Sequence, residues 1–207
     1  MKKNIEYKIL DNGHVKLVRH MGGDEAVISA ARRCWRSKSK GLESDINLIN
    51  HLIKKGHGTP FEHAVFTFDI KCPLFVARQW FRHRIASYNE VSLRYCIAKK
   101  DYYTPEKLDK GILKRYKETV ENSLKSYGEL VKKGVSKEQA RAVLPLSLYT
   151  EFYWTINARS LMNFFKLRLD KSAQHEIREY AKALLKIYKN KMPVCAKAFL
   201  SKLNLDT

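Results

Sequence analysis

The sequence is poor in cysteine, with four in 207 residues: Cys34, Cys72, Cys96 and Cys195. They stand far apart and never as C-x-x-C, which excludes a disulfide framework and a zinc knuckle and suits a reducing compartment. No apolar run reaches the ~18 residues that a membrane span needs. The opening MKKNIEYKIL carries charge but no apolar stretch or cleavage site, so a cytoplasmic location with no membrane partner is expected. Linkers rich in Gly, Pro or Ser, repeats and low-complexity tracts are missing, so a single domain over residues 1–207 is expected. Glycine fingerprints for nucleotides are missing too. Gly22-Gly23 and Gly56-x-Gly58 lack the spacing of a Rossmann or phosphate loop, so a bound nucleotide must be held by side chains. There is no G-x-S-x-G elbow. His51, His57 and His63 recur at a spacing that splays them around a helix, Pro60 interrupts that helix, and no metal is expected.

Acidic residues are in short supply: 21 against 40 Lys and Arg, for a net charge of +19. Nucleic-acid binding is one reading of that excess. However, much of it lies in lysine-rich stretches (residues 110–133 and 182–202) interleaved with Glu, the pattern of a solvated helix face. No nucleic-acid partner is therefore expected. The arginines suit a field that draws in small polyanions.

The apolar residues that are present mark out elements. The runs IEYKIL and HVKLVRHMG flank Asp11-Asn12-Gly13, whose Asn-Gly pair predicts a tight hairpin turn. Asp24 is placed to cap a helix DEAVISAARRCW; Ser44 or Asp45 starts DINLINHLIKKG, and Gly56 stops it. Residues 64–71 alternate, with Phe66, Phe68 and Ile70 on one side, which predicts a half-buried strand. Pro73 suits the first turn of a helix through PLFVARQWFRHR. There follow a long helix over 111–133, a helix opened by the capping box Ser136-x-x-Gln139, and a strand over 151–157 showing Phe152, Trp154 and Ile156 on one face. Helices over 158–169 and 173–190 and a shorter one close the chain. Without regular βαβ alternation, the pattern predicts an α+β or irregular α/β fold, a mixed sheet flanked by helices.

The stretch from Arg82 to Tyr95, RHRIASYNEVSLRY, is too polar to serve a core. Unpaired buried charges and amides cost several kcal/mol each, whereas arginine forks match phosphate oxygens in pairs. Asn, Ser and Glu read the edges of heterocycles. Ser92, between arginines, is read as a hydrogen-bond partner of a phosphate. Arg159 and Asn163 stand one helical turn apart on one face, in a segment whose apolar flanks mark it as buried. Arg141 and Arg168 lie in the same half of the chain.

Arg82-His83-Arg84-x-x-Ser87-x-Asn89-x-x-Ser92-x-Arg94 matches the signature RHRxxSxNxxSxR of the flavin-dependent thymidylate synthases, and the chain resembles that family. TPFEH (59–63), FVARQWFRHR (75–84), VLPLSLYT (143–150) and NARSLMNF (157–164) are similar to family segments in the same order. The resemblance implies a homotetramer of α/β subunits with sites formed at subunit contacts. FAD is reduced by NADPH, methylenetetrahydrofolate donates the carbon, and dUMP becomes dTMP. It further implies FAD contacts from Thr59, Arg82, His83, Arg84, Glu90, Asn157, Arg159 and Asn163, with His57 near the flavin. The implied dUMP contacts are Gln79, Arg82, Glu90, Ser92, Arg94, Arg141 and Arg168. Arg168 is the residue expected to stabilise charge on the uracil, without a covalent adduct to the enzyme. Two positions depart from the pattern: Cys34 replaces a common serine, and Gly58 follows His57 where an acidic or polar residue is common.

Overall fold

The computed structural model of the chain describes residues 5–204; the first residues of the charged N-terminal segment and residues 205–207 lie outside it. A five-stranded sheet of order β1-β2-β3-β5-β4 forms its centre. The strands are β1 (Glu6–Ile9), β2 (Gly13–Met21), β3 (Val65–Pro73), β4 (Ser87–Glu90) and β5 (Tyr149–Asn157). The helices are α1 (Asp24–Arg33), α2 (Leu42–Lys55), α3 (Leu74–Trp80), α4 (Lys110–Lys132), α5 (Lys137–Ala140), α6 (Ala158–Arg168), α7 (His175–Lys191) and α8 (Pro193–Lys202). A 3-10 turn spans Thr59–His63. No helix among the described residues is long and apolar enough to cross a membrane.

The α+β class and the flanking helices agree with the sequence pattern. All described strand pairings are antiparallel, however, where a mixed sheet was expected. Two helices rather than one separate β2 from β3, so the chain comes back to the end of the sheet that it left and re-enters reversed.

The two alternating segments meet in register. Phe66, Phe68 and Ile70 of β3 lie opposite Ile156, Trp154 and Phe152 of β5, all buried. Such cross-strand pairs are the unit of sheet stabilisation. Helix α7 covers this face with Tyr180, Leu184 and Tyr188. Trp80, the last residue of α3, enters the same aromatic cluster against Phe152, Trp154, Phe164 and Tyr180, with ring centroids 5.1–5.6 Å away. A smaller cluster seats Val120 and Leu124 of α4 on Leu148, with Leu93 and Ala98 packed against it.

Several local expectations are corrected. The helix beginning near Pro73 stops at Trp80, short of Arg82-His83-Arg84. The Trp80 carbonyl accepts instead from the His83 N–H at 3.0 Å and the Tyr88 hydroxyl at 3.2 Å, so no further α-helical turn can form. Asp24 is the first residue of α1 and not its cap; its carboxylate accepts from the Val194 and Cys195 N–H groups, each at 2.9 Å, and so caps α8. Helix α2 begins at Leu42, ahead of Ser44 and Asp45, whose side chains accept from Arg32. The Ser136 hydroxyl meets the Gln139 side chain at 3.4 Å with no side-chain cap to a backbone N–H, so the capping box does not close. In the β1–β2 hairpin the positive φ falls on Leu10, at 56°. Gly13 serves close approach: a Cβ there would stand 1.9 Å from the Tyr180 hydroxyl.

Candidate functional site

The turn that follows α3 and the length of α6 bound a cavity of about 510 Å³, lined by Glu62, Arg82, His83, Arg84, Ile85, Arg159, Ser160, Asn163, Leu167 and Arg168. Its size lies within the ordinary range for ligand sites. The Trp80 anchor fixes where the Arg-His-Arg turn leaves the core. Tyr88 of β4 then pins that turn, donating to the His83 carbonyl at 2.8 Å, and burial pushes its own hydroxyl up to about 12.

His83 is the buried member of the turn. Its ring packs on Phe164 at 4.8 Å, and its Nε2 accepts from Arg168 Nε at 3.0 Å. Burial, reinforced by the Arg168 cation, lowers its pKa to about 4, so it is a neutral acceptor at neutral pH with its proton on Nδ1. Arg168 Nη2 also donates to the Gln79 carbonyl at 3.0 Å. Burial pulls the Arg168 guanidinium below its usual range, yet such a group remains a cation. Arg159 pairs with Glu62 of the 3-10 turn. The expectation that Arg159 and Asn163 share one face of α6 holds, since both line this cavity.

Behind Arg159 lies a smaller cleft of about 230 Å³, whose lining includes His57, Gly58, Phe61, Met162, Phe199 and Lys202 together with Arg159 and Asn163. A Cβ on Gly58 would stand 2.6 Å from Arg159 Nε, so the glycine gives the arginine its room. The His51 and His57 rings meet edge to face at 5.9 Å. No group of three metal-ligating side chains occurs among the described residues.

The remaining expected residues are placed elsewhere in the chain. Arg94 Nε donates to the Glu138 carboxylate at 2.9 Å, and Arg141 Nε donates to the Glu138 carbonyl at 3.3 Å. Ser92 Oγ accepts from the Arg94 N–H. Glu90 accepts from the Thr150 hydroxyl at 2.6 Å. The Gln79 side chain donates to Gln174, Asn157 caps α6 through the Ser160 N–H, and Thr59 opens the 3-10 turn. Arg94 and Arg141 thus form a pair of their own, outside the lining of the cavity that holds Arg82 and Arg168. Sequence reasoning missed Tyr88, Phe164, Glu62 and Glu138. Glu62 was visible inside TPFEH, and Glu138 precedes Arg141 by one helical turn. Of the cysteines, Cys72 and Cys195 are buried thiols whose pKa burial raises, which makes them poor nucleophiles.

Arg82, Arg84, Arg159 and Arg168 around one cavity, with Glu62 as the one carboxylate in its lining, suit a phosphate-bearing ligand. Comparison with known proteins narrows that class. The family model described as "Thymidylate synthase complementing protein" matches residues 16–194. The flavin-dependent thymidylate synthase of Thermosipho africanus is 49% identical over 215 residues, covering 95% of this chain and 94% of the relative. That of Thermus thermophilus is 42% identical over 215 residues, covering 96% and 80%. The crystal structure of the UMP/dUMP methylase PolB from Streptomyces cacaoi bound with 5-Br dUMP superposes with a TM-score of 0.87 at 29% identity, covering 94% of this chain and 97% of that one. The chain belongs to the flavin-dependent thymidylate synthase family.

Proposed function

We propose that this chain, acting as a single domain in a homotetramer in the cytoplasm, forms its active site where the cavity at α3 and α6 meets a neighbouring copy. The reaction is the reductive methylation of dUMP to dTMP, with methylenetetrahydrofolate as carbon donor. FAD, reduced by NADPH, supplies the hydride chemistry when bound. The residues present fit such a cofactor. Four guanidinium groups with a single carboxylate among them repel one another unless an anion joins them, and a pyrophosphate is such an anion.

Arg82, His83, Arg84, Arg159 and Asn163 are the residues of that cavity proposed to hold the flavin nucleotide. Thr59, Glu90 and Asn157, outside that lining, are proposed as further flavin contacts, and His57 stands in the lining of the smaller cleft. Arg94 and Arg141, with the Ser92 hydroxyl, are proposed to take the phosphate of dUMP. Gln79, Arg82 and Glu90 contact the rest of the nucleotide. Arg168 is proposed to face the polar edge of the uracil, where its charge stabilises the negative ring that attacks through C5. No metal is needed for these steps.

The observation that carries this reading is the ring of arginines about one cavity. The absorption spectrum of the purified protein, with and without dUMP, tests it. The reading predicts a yellow protein, or one that takes up FAD, oxidises NADPH and changes its flavin spectrum when dUMP is added. A colourless protein that cannot be reconstituted with FAD would contradict it.

A further inference from the structure

An arginine that must present its full charge to a ligand poses a problem of support. A carboxylate would hold the guanidinium firmly but would also cancel the charge being offered. Solvent alone would leave a long side chain free to swing. Arg168 avoids both: its two hydrogen bonds run to the imidazole Nε2 of His83 and the backbone carbonyl of Gln79, each at 3.0 Å. Both acceptors are neutral. The Nη1 hydrogens and the second Nη2 hydrogen remain for a ligand.

His83 is itself held on every side. It is 8% exposed, its ring packs on Phe164, its N–H is bonded to the Trp80 carbonyl, and its carbonyl is bonded to the Tyr88 hydroxyl. A ring so restrained transmits its position to whatever it bonds. The second residue of the Arg-His-Arg turn therefore points its ring at an arginine 85 residues further along the chain, while its two neighbours line the cavity with their guanidinium groups.

We propose that His83 is a positioning residue for Arg168, locking the guanidinium through a neutral acceptor so that its charge reaches the pyrimidine undiminished. The inference deepens the assignment of Arg168 made above and rests on it. It gives His83 a role that Arg82 and Arg84 do not share, because its Nε2 is engaged by Arg168.

Three substitutions separate holding from charge. H83Q keeps a neutral acceptor at about the reach of Nε2, H83L removes the acceptor, and H83E keeps an acceptor but adds a negative charge. Single-turnover dTMP formation with enzyme in excess should stay within about fivefold of the parent in H83Q and fall about a hundredfold in H83L, the scale of loss expected when a reacting group is misplaced by an ångström. H83E should fall as far as H83L. Synthesis is read per bound flavin, with flavin content and NADPH oxidation without dUMP measured alongside, so that a loss at the flavin and a loss at the uracil are separated. Because His83 acts through Arg168, the double variant H83L/R168A should match R168A within about threefold.

A parent-like H83L, an H83E as active as H83Q, or a double variant whose loss is the product of the two single losses would overturn the proposal. So would a fall in dTMP formation that the fall in NADPH oxidation accounts for in full, since His83 would then act through the flavin alone. If H83L does not fold, the comparison of H83Q with H83E decides alone. R168A tests the underlying reading separately: near-normal synthesis in that variant would remove the role of Arg168 itself.

Discussion

Arg168 joins two ends of the chain's chemistry, because the residue proposed to act on the uracil is bonded to the turn that carries the family signature. R168A should therefore largely abolish dTMP formation while flavin binding persists; product assay and flavin absorbance read the two separately, and near-normal synthesis would refute the role. His83 makes a second prediction, in stability. In the unfolded chain it takes up a proton near pH 6.5, but in the fold only near 4. Between those values the unfolded chain binds more protons, so stability is complete above about pH 6.5 and is lost as the pH falls towards 4. Melting temperatures across that window should fall more steeply for the parent than for H83Q, and parallel curves would show that the histidine is not buried in its neutral form. Gly58 makes a third. An alanine there would push on the flexible end of Arg159, not on backbone, and disturb its exposed pair with Glu62. G58A should weaken flavin affinity only about two- to fivefold, the worth of such a pair, as read by flavin titration; an unchanged affinity would show that Arg159 does not need that room.

At the scale of elements, the connection between α1 and α8 is the most economical to test. The two oxygens of Asp24 accept the N–H groups of Val194 and Cys195, the first two that α8 carries after Pro193. Loss of such a cap costs ~1–2 kcal/mol, or roughly 2–8 °C in a chain of this size. D24A should show that drop in Tm, and D24N, which keeps one acceptor oxygen, should fall between it and the parent; an unshifted D24A would remove the cap from the account. The sequence pattern announced an acid at a helix start, but not that the acid serves another helix whose N-terminus lies 170 residues away. Periodicity is local, and it succeeded where the determinant is local: the alternation of β3 and β5, the αL stop at Gly56 and the face shared by Arg159 and Asn163. It failed where a distant group decides. Gly13 looked like a turn residue and is instead a gap for the Tyr180 hydroxyl. Helix α3 looked continuous through Arg84 and is cut at Trp80, where the hydroxyl of Tyr88 and the His83 N–H take the carbonyl.

For the whole molecule, the question is how a site legible as one signature is distributed in space. Arg82 and Arg94 share that signature, yet in one chain Arg82 lines the cavity with Arg168, while Arg94 stands with Arg141 at Glu138. Spacing groups these residues in one motif and could not show this separation, because assembly depends on surfaces that no motif describes. The net charge of +19 has a place at this scale: a concave arginine cluster focuses a positive field that attracts phosphate-bearing ligands. If the phosphate site of one copy completes the uracil site of another, R94A and R168A impair different subunits' contributions to the same reaction. The direct test is to co-express R94A and R168A chains with different tags, isolate oligomers that contain both, and measure dTMP formation. The account predicts two inactive parents and a mixed oligomer that recovers a clear fraction of parent activity, from sites whose two contributors are both intact. Mixed oligomers as inactive as either variant alone would place Arg94 and Arg168 in one subunit's site and contradict the shared architecture.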